Sequence, residues 1–402
     1  MSTTARPGAP RNGGRPRNGR RGRVRRRQTS MAINVTSILL SIMVLVAVGV
    51  AWSRGGTEGD FSGEGNGTIV MVQVAEGQSL SDLADELDKK GVVGSPGAFM
   101  NAANAHPRSN SLQPGYYRLQ ERMSAESAVE ALLDAANQAG MIDVPTGLRL
   151  EDTRVVASDD VRKGIFTLIS DATCGAGAEE TCVTVEDLRD AAGHLSAEEL
   201  GVPAWATEGV LARGDDPRRI EGLITPGIHQ FDPASDAKTI LKSLIESSAR
   251  QYESTGLEAS ATAVGLTPYE LVTAASLVEA EAPADDFDKV ARVILNRLEI
   301  NQPLEFDSTV NYDLPDQEVA TTDDDRARET PWNTYRRYGL PATPIGSPSL
   351  KAIEAMENPA PGKWLYFVTI DDKGTTIFSN TFEEHQAATQ QAIDGGVLDS
   401  NR

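Results

Sequence analysis

Residues 267–283, TPYELVTAASLVEAEAP, decide the fold of this chain because they predict one helix with a clear start and a clear end. At the start, Thr267 can cap the helix, Pro268 suits the first helical position and Glu270 completes a capping box. At the other end, Pro283 forbids a further turn. The sequence therefore predicts a helix that begins after the Thr and stops just before the second Pro.

Two carboxylates lie near the end of this predicted helix, at Glu279 and Glu281. Glu279 shares a helix face with Val272 and Ser276, so its neighbours are small and apolar. Two residues turn a helix by roughly 200°, which predicts that Glu281 points away from Glu279. We therefore expect Glu281 to be solvated or structural, and the two carboxylates not to act as a pair.

The segments that follow this helix carry polar and aromatic groups. A second amphipathic helix is predicted from Asp285 to about Leu298, and it can pack on the first. Residues 303–312 read PLEFDSTVNY, and the later loops over 330–345 add amide, hydroxyl and aromatic groups. Aromatic faces stack on sugar rings, and amides and carboxylates bond sugar hydroxyls. These segments therefore carry groups of the kind that line a sugar-binding groove.

The composition bounds the size and the partners of the protein. The chain has 402 residues, 40% of them hydrophobic, enough for a sizeable core in two or three domains. Residues 1–54 contain eleven Arg and no Lys or acidic residue, whereas residues 55–402 carry 27 basic and 58 acidic side chains, a net charge of −31. A body this acidic argues against nucleic acid as a partner.

The N-terminal residues predict a membrane anchor. Residues 1–31 have little to bury and are predicted to be a disordered cytoplasmic arm. Residues 32–52 are mostly apolar and would span roughly 31 Å as a helix, enough to cross a bilayer, with the Arg-rich side in the cytoplasm. Residues 53–67 form a flexible linker. A cleaved signal peptide is the rival interpretation, and the arm could instead bind nucleic acid.

Cys174 and Cys182 are the only cysteines and enclose seven residues rich in Gly, Ala and Glu. In an oxidising compartment this spacing suits a local disulfide, and two unrelated thiols are the alternative. The four His are scattered, and neither an HExxH nor a CxxC motif is present. We therefore expect no metal site and no cofactor.

Periodicity and turn signals predict an α+β chain after the linker. For the module at 68–140, the predicted elements are strands at 69–74 and 112–119 and helices at 81–90, from 95, and at 124–137. For the connecting region at 141–236, they are a strand near 142–144 and helices around 150–157 and 185–192. For the domain at 237–395, they include a helix at 237–252 and paired strands at 364–369, which we expect to be buried, and 376–379.

Seven short motifs follow one another along the chain: Ala275-Ser276-Leu277-Val278-Glu279, Asn296-Arg297-Leu298, Leu304 to Tyr312, Asn333-Thr334-Tyr335, Gly339-Leu340-Pro341, Tyr366-Phe367-Val368 and Glu384-His385. In this order they resemble the endolytic murein transglycosylase, or YceG-like, family. Upstream, Glu221-Gly222 with Pro226 resembles a loop of that family, and residues 68–138 resemble its LysM-related module. The predicted fold class is α+β: an N-terminal transmembrane helix, a small LysM-like α+β module and a mixed α/β catalytic domain.

The resemblance implies cleavage of the β-1,4 bond after N-acetylmuramic acid inside peptidoglycan glycan strands, without water, to leave a 1,6-anhydro end. Glu279 would be the single catalytic acid and base. The residues expected to bind the sugar or to stabilise charge are Glu221, Asp307, Ser308, Thr309, Tyr312, Asn333 and Tyr335. The alternative for each of these residues is hydrogen bonding within its loop. Glycan strands, the cytoplasmic membrane and cell-wall synthases are the implied partners.

Three positions depart from the family pattern. Glu305 stands where the family usually has Gln, Gly227-Ile228-His229 replaces Asp-Thr-Tyr, and Thr376 occupies a place usually given to His. These departures motivate a second hypothesis, a glycan-binding or scaffold protein whose catalytic site has decayed. A third hypothesis is ordinary hydrolysis, which needs a second carboxylate such as Asp307 or Glu305 to activate water.

The charge asymmetry predicts a single-pass topology with residues 55–402 outside the cytoplasm, because ten Arg precede the apolar run and the body is acidic. Protease added to intact cells should therefore remove the body. A body that is protected in intact cells and digested only after lysis would contradict this topology.

Overall fold

The computed structural model describes residues 59–155, 160–174, 182–314, 316–317, 321–371 and 373–396. The predicted arm, the predicted transmembrane helix at 32–52 and the first part of the linker lie outside these residues. Among the described residues, no helix is both long and apolar enough to cross a membrane. The described part of the chain is α+β, as predicted, and combines α-helices with sheets of only two or three strands.

The α-helices of the described residues, in chain order, are α1 (Leu80–Lys89), α2 (Pro96–Ala105), α3 (Ala125–Leu133), α4 (Ile165–Cys174), α5 (Val185–His194), α6 (Thr207–Leu211), α7 (Ala237–Ser254), α8 (Leu257–Ala263), α9 (Pro268–Glu281), α10 (Phe287–Glu299), α11 (Asp307–Tyr312), α12 (Asp323–Ala327), α13 (Leu350–Glu357) and α14 (Phe382–Asp394). The strands are β1 (Ile69–Val74), β2 (Gly115–Gln120), β3 (Gln138–Ala139), β4 (Met141–Val144), β5 (Thr153–Val155), β6 (Val161–Arg162), β7 (Gly227–Gln230), β8 (Asp316–Gln317), β9 (Tyr366–Thr369) and β10 (Thr376–Ser379).

The N-terminal module follows its sequence signals closely. Strands β1, β2 and β3 form one antiparallel sheet, and α1, α2 and α3 contribute to a core around Leu83, Phe99 and Tyr117. A serine caps each of the three helices and accepts a backbone hydrogen bond from the first turn. Helix α3 ends at Leu133, earlier than predicted, because Asp134 is extended and caps a separate 3₁₀ turn. The likeness of this module to LysM stays a prediction.

The connecting region differs from its prediction at one place. The helix predicted around 150–157 is wrong, because residues 153–155 form β5, which pairs with β6 and, in parallel, with β8. The backbone just before it already has partners elsewhere: the Leu150 carbonyl accepts from the Phe166 amide at 3.0 Å. The remaining elements agree better with the sequence, since β4 pairs with β7 and helix α5 starts at Val185.

Helix α9 lies in the centre of the C-terminal core. It begins with the predicted capping box at Thr267 and Glu270, and residues 271–278 are all buried. Helices α10 and α13 pack against it. Strands β9 and β10 form a hairpin beside α14, and the strand predicted to be buried at 364–369 is shorter and only half-buried, because its sheet has just two strands.

Helix α4 ends at Cys174, and the structure joins this residue to Cys182 in a disulfide. The two Cα atoms are 4.5 Å apart. Val183, one residue later, is buried in the same core as Ile169 of α4. The bridge therefore fixes the end of α4 close to the segment that leads into α5.

A buried carboxylate, Glu221, connects three distant parts of the chain. Its oxygens accept from the Leu150 amide at 3.2 and 3.3 Å, and Oε2 accepts from the Tyr312 hydroxyl at 2.9 Å. The side chain is 1% exposed. Burial raises the pKa of Glu221 to about 7, although Tyr312, Leu150 and the Arg149 charge oppose the shift. Glu221 therefore holds the start of the connecting region against α11.

The raised pKa of Glu221 predicts a pH-dependent loss of stability. Between about pH 4.5 and 7 the unfolded chain releases the proton that the folded chain keeps, so the free energy of unfolding falls as pH rises, by on the order of 3 kcal/mol. Glu221→Gln should therefore lose less stability than the native protein over this range. Thermal melting at a series of pH values measures the difference.

The exposed Glu258 of α8 provides the matched control. Glu258→Gln should follow the native protein at every pH. If the difference in melting temperature between Glu221→Gln and the native protein did not change with pH, the proposed titration of Glu221 would be wrong.

Candidate active site

A cavity of about 600 Å³ opens at the C-terminal end of α9. Its volume falls within the range of small-molecule sites. The cavity is lined by Thr146, Gly147, Leu148, Arg149, Thr153, Arg162, Glu279, Ala280, Glu281, Asp307, Ser308, Asn311 and Ile345. None of these described lining residues is aromatic, so stacking of sugar rings on aromatic faces stays a prediction.

Glu279 is fixed by the start of another helix. Its Oε2 accepts from the Ser349 amide at 3.1 Å and from the Ser349 hydroxyl at 2.5 Å. Ser349 is the N-cap of α13, and its Oγ also accepts from the Ala352 amide at 3.1 Å. Both hydrogen bonds to Glu279 therefore fall on one oxygen, and among the described residues none forms a hydrogen bond with Oε1. One oxygen holds the carboxyl group in place while the other is available to a ligand.

Two loops form the walls beside Glu279. Ser276, one helical turn earlier, accepts from the Ile345 amide at 3.0 Å and thereby anchors the loop that leads to α13. The opposite loop approaches closely at Gly147, where an added Cβ would lie 3.8 Å from Glu279 Cγ and the backbone φ is +67°. The Gly147 amide donates to the Ser347 carbonyl at 2.7 Å, so the two loops are joined directly. A side chain at Gly147 would be strained and would narrow the cavity beside Glu279.

Asp307 is held as an anion. It forms an ion pair with Arg326 at 2.9 Å, and its Oδ1 accepts from the Tyr335 hydroxyl at 2.7 Å. Burial alone would raise the pKa of Asp307, but Arg326, Tyr335 and Thr321 outweigh it and the pKa is lowered. Asp307 therefore brings a fixed negative charge to the cavity and is unsuited to donate a proton.

Glu281 lines the same cavity as Glu279, although its position on the helix predicted that it points away from Glu279 and is solvated or structural. Glu281 is the last residue of α9, and Ala282 is already extended, so the cavity extends around the end of the helix and includes both carboxyl groups. Burial raises the pKa of Glu281 to about 7. Ser308 and Arg297 oppose this shift, whereas the Asp307 charge adds to it. The rotation of about 200° between the two residues was a poor guide to their surroundings, because the helix ends at Glu281 and the cavity extends around that end.

The other residues predicted to bind sugar divide into two groups. Asp307 and Ser308 line the cavity, and Tyr335 is partly exposed behind Asp307. Thr309, Tyr312 and Asn333 are buried. The Asn333 amide donates to the carbonyls of Arg326 and Arg328, and Thr309 donates to the Phe306 carbonyl. For these buried residues the structure favours the alternative of hydrogen bonding within the walls.

Glu221 lies in the wall beneath the cavity. It does not line the cavity itself and reaches it only through Tyr312 and the backbone next to Arg149. Glu221 is suited to a positioning role, because its partners Leu150 and Tyr312 belong to segments that form the walls of the cavity.

The three departures from the family pattern lie outside the cavity lining. Glu305 is half-exposed, has a backbone φ of +52° and lies 4.0 Å from Arg297. His229 is buried in β7 and bonds the Thr225 carbonyl at 2.7 Å. Thr376 begins β10. None of the three substitutions therefore changes a group that faces Glu279.

Several residues of the site were not predicted from the sequence: Ser349, which holds Glu279, and the lining residues Arg149 and Arg162. Ser349 had a usable signal, since a Ser after Pro348 and before Leu350 is a typical helix N-cap. Arg149 and Arg162 belong to the first part of the connecting region, upstream of the Glu221-Gly222 motif, where the sequence carried no recognisable motif. Among the described residues, no group of three or more His, Cys, Asp or Glu side chains is placed to hold a metal ion.

Comparison with known proteins identifies the family of the chain. The YceG-like family model matches residues 72–391. The chain is 26% identical over 332 residues to the endolytic murein transglycosylase of Bacillus subtilis, covering 81% of this chain and 85% of that protein. It is also 26% identical over 335 residues to the endolytic murein transglycosylase of Streptococcus pneumoniae, covering 81% of this chain and 58% of that protein.

The fold is similar to that in the crystal structure of a YceG-like protein from Listeria monocytogenes, with a TM-score of 0.51 and 23% identity. The similarity covers 79% of this chain and 98% of that one. Since the family model spans most of the described residues, including both walls of the cavity, the chain belongs to the YceG-like family.

Proposed function

We propose that this protein is a membrane-anchored lytic transglycosylase that cuts peptidoglycan glycan strands internally and so limits strand length during cell-wall synthesis. The observation that carries the proposal is Glu279, a carboxyl group held by one oxygen at the rim of a polar cavity. Relatives that align over 81% of the chain are named endolytic murein transglycosylases, which supports peptidoglycan as the substrate.

In the proposed reaction Glu279 serves twice. Protonated, it gives its proton to the oxygen that leaves as the bond from C1 of N-acetylmuramic acid to O4 of the next sugar breaks. Ionised, it takes the proton from the 6-hydroxyl of the same muramyl residue as that oxygen attacks C1. One C–O bond breaks and one forms. The proton taken from the 6-hydroxyl replaces the one given to the leaving oxygen, so Glu279 ends protonated as it began and no water is consumed.

The anchored charge of Asp307 has a separate role in this proposal. Positive charge develops at C1 in the transition state, and a fixed anion in a partly dry cavity stabilises it. Asp307 suits this role because Arg326 and Tyr335 keep it ionised and oriented. Glu281 would add a second negative charge to the cavity above about pH 7.

The two other hypotheses depend on particular residues. Hydrolysis would use Asp307 to activate water, and this remains the second candidate because an ionised Asp307 lines the cavity together with Glu279. Glu305, also considered for that role, does not line the cavity. The scaffold hypothesis depended on departures that lie outside the lining, which weakens its motivation.

The proposed location follows from the proposed substrate. Peptidoglycan lies outside the cytoplasm, so an anchor at 32–52 would keep the body beside the membrane where strands are made. Cell-wall synthases are the proposed partners for the same reason.

Glu279→Gln should lose nearly all turnover and still bind glycan, because Gln has the same shape but cannot exchange a proton. General acid and base catalysis contributes about 10² to 10⁴ in rate. Release of anhydro-ended fragments from uncrosslinked glycan measures the loss, with thermal melting to exclude unfolding and Glu258→Gln as the control. Asp307→Asn should lose less. Full activity in Glu279→Gln would contradict the mechanism.

Glu281→Gln should change the pH dependence of the reaction, because Gln imitates the neutral form of Glu281 at every pH. Below pH 7 the variant and the native enzyme should have similar rates. Above about pH 7 native Glu281 is ionised, and its charge should stabilise C1. The variant should then become slower than the native enzyme. Superimposable pH–rate profiles would exclude a role for Glu281.

A further inference from the structure

Two arginines, Arg149 and Arg162, share the cavity with Glu279 and have no part in the proposed proton transfer. Arg149 lies with its guanidinium 5.0 Å from the centre of the Tyr312 ring and donates to the Asn311 carbonyl at 3.3 Å. Arg162, in β6, is exposed and donates to the Thr146 carbonyl at 3.4 Å. Each guanidinium is therefore placed by a neutral group and keeps further donors for a ligand.

These two guanidinium groups form no ion pair with a described carboxylate, although the charge of Glu221 acts on Arg149. Eight other arginines form ion pairs with carboxylates, and these are Arg154, Arg189, Arg213, Arg218, Arg297, Arg326, Arg328 and Arg336. In the part of the chain that the structure describes, no carboxylate lies within ion-pair distance of Arg149 or Arg162. Among the described residues Arg219 and Arg292 also form no ion pair, so what sets Arg149 and Arg162 apart is that both line one cavity, in a body that carries a net charge of −31.

The two cations also act on each other. Burial lowers the pKa of Arg149, and the neighbouring Tyr312 and Glu221 oppose that shift. The positive charge of Arg162 lowers the pKa of Arg149 further. Repulsion between two like charges is relieved when an anion binds between them. A carboxylate suits this position, because guanidinium groups bind its two oxygens with parallel hydrogen bonds.

We infer that Arg149 and Arg162 form a carboxylate-binding subsite for the peptide stem carried by the muramyl sugar. The inference deepens the proposed function and rests on it. Muramic acid carries its stem through a lactyl ether, and the stem contains free carboxylates. Asp307, and Glu281 above about pH 7, would repel those carboxylates from the end of α9. The cavity would thus orient the substrate, with the stem at the arginines and the glycosidic bond at Glu279.

Binding to the full-length Glu279→Gln protein tests the subsite without requiring turnover. The probes are a synthetic lactyl-tripeptide with free carboxylates and the same compound with every carboxylate amidated, compared by calorimetry. The free acid should bind at least tenfold more tightly, as expected for a charge-assisted hydrogen bond. Adding Arg162→Gln should remove most of this preference, and Arg162→Lys should restore part of it.

Arg154→Gln is the matched control, because Arg154 lies in the neighbouring strand β5 and does not line the cavity. It should keep the preference for the free acid. Arg149→Gln should behave like Arg162→Gln, with melting to confirm that it folds. Since Arg162 is exposed, its substitution tests the inference even if Arg149→Gln does not fold.

Three results would overturn the inference. The first is equal affinity for the free acid and the amide. The second is an equal loss of the preference for the free acid in Arg154→Gln and Arg162→Gln. The third is displacement of the tripeptide by inorganic phosphate at equal concentration, which would indicate a general anion site. Activity is a separate readout: the ratio of kcat/KM on stem-bearing and stem-free glycan should fall at least tenfold in Arg162→Gln. If Glu279→Gln were fully active, the proposed mechanism would fail while the binding result could still stand.

Discussion

The hydrogen bonds from Ser349 to Glu279 are the interaction on which the rest of the site depends. They join the end of one buried helix to the start of another, and they hold a carboxyl group by one oxygen. A free Glu side chain loses considerable conformational entropy when it is fixed. Here that cost is met by packing of α9 and α13, which places Ser349 before any ligand arrives. A preorganised acid of this kind suits catalysis better than a mobile one.

The cavity around that carboxyl group is assembled from segments that are distant in sequence. Gly147 bonds to Ser347 across the two walls, and Glu221 bonds to Leu150 and Tyr312 beneath them. The cavity carries charges of both signs, with the carboxylates of Glu279, Glu281 and Asp307 and the guanidinium groups of Arg149 and Arg162. In the proposed function, these charges would orient a glycan strand whose peptide stems carry carboxylates.

Local signals in the sequence predicted most elements and the central residue of the site. The capping box and the terminating Pro bracket α9 correctly, and helical periodicity places Ser276 and Glu279 on one face. The errors arose where tertiary contacts determine the backbone conformation or the surroundings of a side chain. The backbone near Leu150 is drawn out of a helix by Glu221 and Phe166. Glu281 enters the cavity because the helix ends there, and the partners of Arg149 come from segments more than 150 residues away.

The central claim is that Glu279 directs the 6-hydroxyl of the muramyl sugar, and not water, to the broken bond. Digestion of purified glycan strands in water enriched in ¹⁸O tests it directly, with mass spectrometry of the new ends. The account predicts 1,6-anhydro ends that contain no ¹⁸O, and no such ends with Glu279→Gln. New reducing ends labelled with ¹⁸O would contradict it and would identify a hydrolase.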